Sequence, residues 1–243
     1  MSRPVSAPSV GSYRRVSKAR SQAAAATVIV LLAGCAARTP AVPPAPAVAE
    51  VTWEQKLAWI VRLEDQRILV EPNPPAPRVL RPATREEPAL LSAPAPANLL
   101  ALLGDVEARV RRRAALAVGR VGLADGVEPL ARLLADPEVE VRQMAAFALG
   151  LIGHPSARGA LLQALSDPEP IVQGRAAEAL GLIGDRSDAA AVGAMVQAHV
   201  AAGALAGIEP DDLTHPLTPP AEAVRLGLYA LVRLGGYEQI ASA

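Results

Sequence analysis

From Asn98 onward, apolar and polar positions follow a helical rhythm. Ahead of Gly153, the residues Val141, Ala145, Ala148, Leu149 and Ile152 fall on one stripe of a 3.6-residue turn, which predicts an amphipathic helix. The residues before it supply start signals. Asp136 can serve as N-cap, Pro137 fits the first helical position where no N–H is missed, and Glu138 suits the positive end of the macrodipole. Gly153 stands where a residue of positive φ closes the helix. Upstream, Val127, Leu130, Leu133 and Leu134 predict a shorter helix of roughly two to three turns. Two helices of this size cannot bury their apolar faces alone.

The pattern then recurs. Placing Asp105, Asp136 and Asp167 in one column gives a period of 31 residues without gaps, and later columns hold Val110, Val141, Val172; Ala114, Ala145, Ala176; and Gly122, Gly153, Gly184. Between Leu134–Gly153 and Leu165–Gly184, 13 of 20 aligned positions are identical, so the register is not accidental. A period in this range predicts a solenoid of stacked helix pairs. Beyond Gly184 the register weakens. Asp188 to Val200 predicts one helix and Ala221 to Leu234 another, so a degenerate fourth unit over 187–235 carries an insertion at 203–220 that includes Pro210, Asp211, Asp212 and His215.

The run Asp136-Pro137-Glu138-Val139-Glu140-Val141-Arg142 through Gly153, with its two copies, resembles HEAT repeats of the short, phycobilisome-lyase-like kind. The resemblance covers 98 to about 200 and implies an all-α fold, a right-handed α-solenoid. Tetratricopeptide and ankyrin units have other periods and other marker residues. The resemblance also implies a role for the acid and base six apart, Asp105 with Arg111 and Asp136 with Arg142, in linking neighbouring units; the third unit has Asp167 with Gln173. The lyase name belongs to enzymes that join bilins to cysteines, and no chemical site of that kind is recognisable here.

The repeats, about 98–122, 126–153, 157–184 and 187–235, have a long approach. Residues 1–34 are basic, then apolar from Ala23 to Gly34, and end at the sole cysteine, Cys35. The apolar run is shorter than the ~20 residues a membrane helix needs, so a secretory signal is the better reading. Leu32-Ala33-Gly34-Cys35 resembles a bacterial lipobox. That resemblance implies cleavage before Cys35, a lipid on its sulfur, and a place in the cell envelope. Ala36, where inner-membrane retention would want Asp, favours the outer membrane facing the periplasm. Residues 35–50 read as an Ala/Pro-rich tether. Thr52 and Gln55 form a possible capping box for an amphipathic helix over about 53–70, within the segment 51–70, its apolar stripe turned toward the following domain. Residues 71–97 hold eight prolines and read as a linker, and 236–243 as a tail.

Composition narrows the function classes. Only 2% of residues are aromatic and the apolar share is mostly Ala, Leu and Val, which argues against a β-sandwich or barrel. The 24 basic and 24 acidic residues balance, so no nucleic-acid footprint is present. Three histidines at no recognised spacing, and none of the common nucleophile, metal or phosphate motifs, leave no catalytic constellation, no cofactor and no evident small-molecule substrate. What remains is surface. On the long helices, three columns vary while the core columns do not: Arg113, Met144, Arg175; Leu116, Phe147, Glu178; Arg120, Leu151, Leu182. They share one side and are the candidate protein- or peptide-binding residues of a non-catalytic, lipid-anchored scaffold; the other use for them is to cover joints between units. The exported portion also resembles the leading part of longer bacterial proteins in which such repeats precede a cyclophilin-type peptidyl-prolyl isomerase domain. That likeness implies the alternative of an accessory portion whose catalytic domain is not in this chain.

Overall fold

A computed structural model describes residues 51–72, 96–208 and 217–241, all within one structural unit, Pro44–Ala243. The signal segment, Cys35, the tether and most of the two proline-rich stretches lie outside the described residues.

The 31-residue rhythm becomes a repeated helix pair. The long helices α3 (Ala108–Val121), α5 (Val139–Ile152) and α7 (Pro170–Ile183) begin 31 residues apart. The short helices that precede them are α2 (Leu99–Leu102), α4 (Val127–Arg132), α6 (Arg158–Ala164) and α8 (Ala189–Ala201). The fourth long helix is α9 (Pro219–Leu234), followed by α10 (Tyr237–Ala241). Long helices pack on long helices in sequence order, and each short helix lies behind its own partner. Val110, Ala114, Val118, Val141, Ala145, Leu149, Val172, Ala176 and Leu180 are fully buried between the two rows. At about 25 cal/mol per Å² of apolar surface, this continuous seam is what holds units that could not fold singly.

Small residues set the spacing between long helices. A Cβ on Gly119 would lie 2.7 Å from the Cα of Ala148, one on Gly150 2.8 Å from the Cα of Ala179, and one on Gly181 2.7 Å from the Cα of Ala230. The glycine column is therefore the print left by the alanine column of the next unit. In α9 the same position is Val232, 54% exposed, and no described helix lies over it.

The helix start differs from expectation. The N-cap of α5 is Glu138, and Asp136 stays extended at ψ 142 while its Oδ1 accepts the Glu138 N–H at 3.0 Å. A residue before proline is pushed out of the helical region, so Asp136 closes a turn ahead of the helix and leaves its carboxylate free for a longer reach. Asp105 and Asp167 repeat the turn onto Glu107 and Glu169.

The N-terminal amphipathic helix is set apart in sequence and not in space. Thr52 and Gln55 make the capping box, and α1 (Trp53–Gln66) buries Ile60 and Leu63 completely as it packs against α3. It ends four residues earlier than expected. Arg67 takes the left-handed conformation at φ 55, and Val70 then pairs antiparallel with Asn98. Leu99 N–H donates to Leu69 O at 2.8 Å and Glu71 N–H to Ala97 O at 2.9 Å, which pins both ends of the proline-rich segment together. Thus α1 occupies the place of a long helix ahead of α3.

Candidate functional site

The acid–base pairs build the edge of the long-helix row. Arg111 donates to Asp136 from Nε at 2.7 Å and from Nη2 at 2.8 Å, and Arg142 to Asp167 at 2.8 and 3.1 Å. The same arginines return an Nη1 hydrogen bond to the carbonyls of Asp105 and Asp136, their own six-apart partners. Lys56 of α1 reaches Asp105 at 2.6 Å and so opens the ladder one unit early. At the far end Gln173 donates to Asp167 O, and its Oε1 lies 2.6 Å from His199 Nε2. Burial holds the His199 imidazole below its ordinary pKa, which favours a neutral ring. These groups join one unit to the next.

The candidate columns lie on the flank of the long helices opposite the short ones. Arg113 and Arg120 both meet Glu64 of α1, at 2.9 and 2.7 Å, with Leu116 half-buried between them. Phe147 is half-buried beneath the Arg175 guanidinium, 5.3 Å from the ring centre, and Arg175 also pairs with Glu178 at 2.8 Å. Leu151 is 40% exposed, whereas Met144 and Leu182 are half-buried; Met144 packs against the core, and Leu182 leans toward Gly150. The flank therefore gathers two groups: the arginines of α3 about Glu64, and the Phe147, Arg175, Glu178 cluster.

Sequence reasoning missed what α1 and α9 add to this flank. Val61, Glu64, Asp65 and Arg67 of the α1 end join Arg113 and Arg120 around an open pocket of about 470 Å³. At the other end Tyr229 is 44% exposed with Arg233 over its ring at 5.8 Å, and Arg233 Nε donates to Gly181 O at 3.0 Å. A signal for α1 was present. Lys56 stands eleven residues before Arg67, as Arg111 stands eleven before Gly122, but an arginine in a glycine column hid the register.

Among the described residues no three His, Cys, Asp or Glu side chains converge as a metal site would require, and no helix is long and apolar enough to cross a membrane. His154 is exposed and caps a turn, its Nδ1 accepting from Ser156 N–H at 3.3 Å, and His215 lies outside the described residues.

Comparison with known proteins addresses the fold. Residues 127–209 match the family model described as HEAT repeats, and residues 110–136 the one described as PBS lyase HEAT-like repeat. No curated protein matches the chain. Among solved structures, the complex of CpcE and CpcF of phycocyanin lyase from Nostoc sp. PCC7120 is similar at 26% identity and a TM-score of 0.49, covering 69% of this chain and 61% of that one. An engineered protein matches at 25% identity and a TM-score of 0.38, covering 56% of this chain and 61% of that one. A second engineered protein matches at 26% identity and 0.36, covering 56% and 36%. The chain thus spans about three fifths or less of the length of the solved chains it matches. Stacked 31-residue helix pairs, built on glycine and alanine columns and matched by the two repeat models across residues 110–209, make this an all-α HEAT-like solenoid.

Proposed function

We propose that this chain is a non-catalytic scaffold of the bacterial cell envelope that binds a protein or peptide through the flank of its long helices. One observation carries the reading. Arg113, Leu116, Met144, Phe147, Arg175 and Glu178 stay half-exposed on helices whose neighbouring columns are wholly buried, and Leu151 and Tyr229 are open to solvent beside them. A row of aromatic, Met and Arg side chains on a rigid stack is the composition of a binding surface. A diacylglyceryl group on Cys35 would tether it, with acyl chains contributing about 0.8 kcal/mol per buried CH₂.

The test is a photo-crosslinking residue placed at Leu151 in the full chain in a two-membrane bacterium, with Leu123 as an equally exposed control away from the flank. A discrete protein adduct at Leu151 and none at Leu123 is expected; equal or absent adducts at both sites refute the binding role. Metabolic labelling with a fatty-acid analogue reports the anchor separately, and Cys35→Ser should remove the label.

A further inference from the structure

We infer that the pocket between α1 and α3 is a carboxylate site, where the partner of this flank places an acidic side chain or its chain-terminal carboxylate next to an apolar residue. The inference rests on the binding role proposed above and names the chemistry of the partner.

Three guanidinium groups, Arg67, Arg113 and Arg120, face the pocket with two carboxylates, Glu64 and Asp65. One positive charge is left over. Glu64 already bridges Arg113 and Arg120, so the pair is held in place for a second anion without having to be ordered by it. Arg113 Nη1 and Glu64 Oε2 are both buried without a hydrogen-bond partner, so the wall of the pocket holds one donor and one acceptor unsatisfied. Arg67 has no ion pair among the described residues.

The backbone gives independent support. The residue closing each of α3, α5, α7 and α9 is a glycine with φ between 67 and 84, whereas α1 closes with Arg67 at φ 55. An arginine in the left-handed region is strained where glycine would be free, and such strain persists where the side chain has a use. Here the use is a third guanidinium on the pocket rim. Two carboxylates in the wall repel a dianion, so a phosphate group fits poorly, while a carboxylate matches both the single spare charge and the guanidinium fork. Val61 lines the pocket beside these groups, and Leu116 stands half-buried on α3 between the two arginines.

The experiment titrates the full chain with three labelled heptapeptides by fluorescence anisotropy. One is blocked at both ends with a central Leu-Glu-Leu, the second is its Gln isostere, and the third is the Gln peptide with a free C-terminal carboxylate. The Glu peptide, the free-carboxylate peptide, or both should bind about 10-fold tighter than the blocked Gln peptide, and which of them does so identifies the source of the carboxylate. In R67N/R120Q the advantage should shrink to about 2-fold or less with the helical circular dichroism unchanged, since both side chains lie outside the core. R67K, which keeps charge without the fork, should recover only part of it. Equal binding of all three peptides, no binding of any, survival of the preference in R67N/R120Q, or stronger competition by inorganic phosphate than by acetate at matched ionic strength overturns the inference. A crosslink at Leu151 alongside equal peptide binding would leave the flank reading standing and remove the pocket alone.

Discussion

Arg111 holds Asp136 of the following unit by two hydrogen bonds, from Nε at 2.7 Å and Nη2 at 2.8 Å, while its third donor group closes on the carbonyl of Asp105 in its own unit. One side chain thus fastens two turns. The Asp136 residue is only 8% exposed, so Arg111→Ala would strand a nearly buried carboxylate. The expected loss is about 2–4 kcal/mol in urea unfolding, against about 1 kcal/mol for Gln173→Ala, whose rung is uncharged. Equal losses would show that the charge adds nothing to the joint.

Acid should loosen the same rungs. Burial opposes ionisation of Asp105 and Asp136, but hydrogen bonds from Lys56 to the first and Arg111 to the second, with the Glu107 and Glu138 N–H groups, outweigh it and hold both carboxyls below the usual range. A carboxyl lowered in the folded state adds stability that is fully present above the unfolded value of about 4 and is lost as pH falls through the folded one. Asp136→Asn should therefore lie well below the parent at neutral pH and close on it as the solution is acidified below about 4. Denaturant midpoints across that window decide it, and a gap that stays constant contradicts the assignment.

Two glycines of one helical rhythm should answer oppositely to the same change. Gly150→Ala drives a methyl to within 2.8 Å of the Ala179 backbone and should cost about 1–3 kcal/mol. Gly159, inside α6 with nothing within 4 Å of a Cβ, should gain about 0.5–1 kcal/mol as alanine. Thermal melts of the two variants give the signs directly.

At Arg67, glycine should raise stability by about 0.5–1 kcal/mol, because φ 55 then carries no side-chain penalty. Carboxylate-peptide affinity should fall in the same variant. A chain that is both more stable and equally able to bind would mean the arginine is there by chance.

Much of the fold was legible because stacking leaves marks in sequence. Gly119, Gly150 and Gly181 recur since each faces an alanine backbone, and Arg111 and Arg142 recur since each spans a joint. The start of α5 was misread because Asp136 satisfies two partners at once, a local N–H and a distant guanidinium, and local rules see only the first. The place of α1 was hidden because its contacts to α3 are long-range and the proline-rich insertion breaks the period before Leu99. The flank columns were readable as variable positions. That Glu64 would draw Arg113 and Arg120 together was not, since nothing local to α3 names a partner fifty residues away.

Val232 has a consequence for anyone who wishes to lengthen this protein. Grafting another hairpin behind α9 would set its alanine against an isopropyl group where the joints after α3, α5 and α7 offer bare backbone, so an equally close fit would need position 232 made glycine. A single branched side chain thereby sets how closely a further unit could approach.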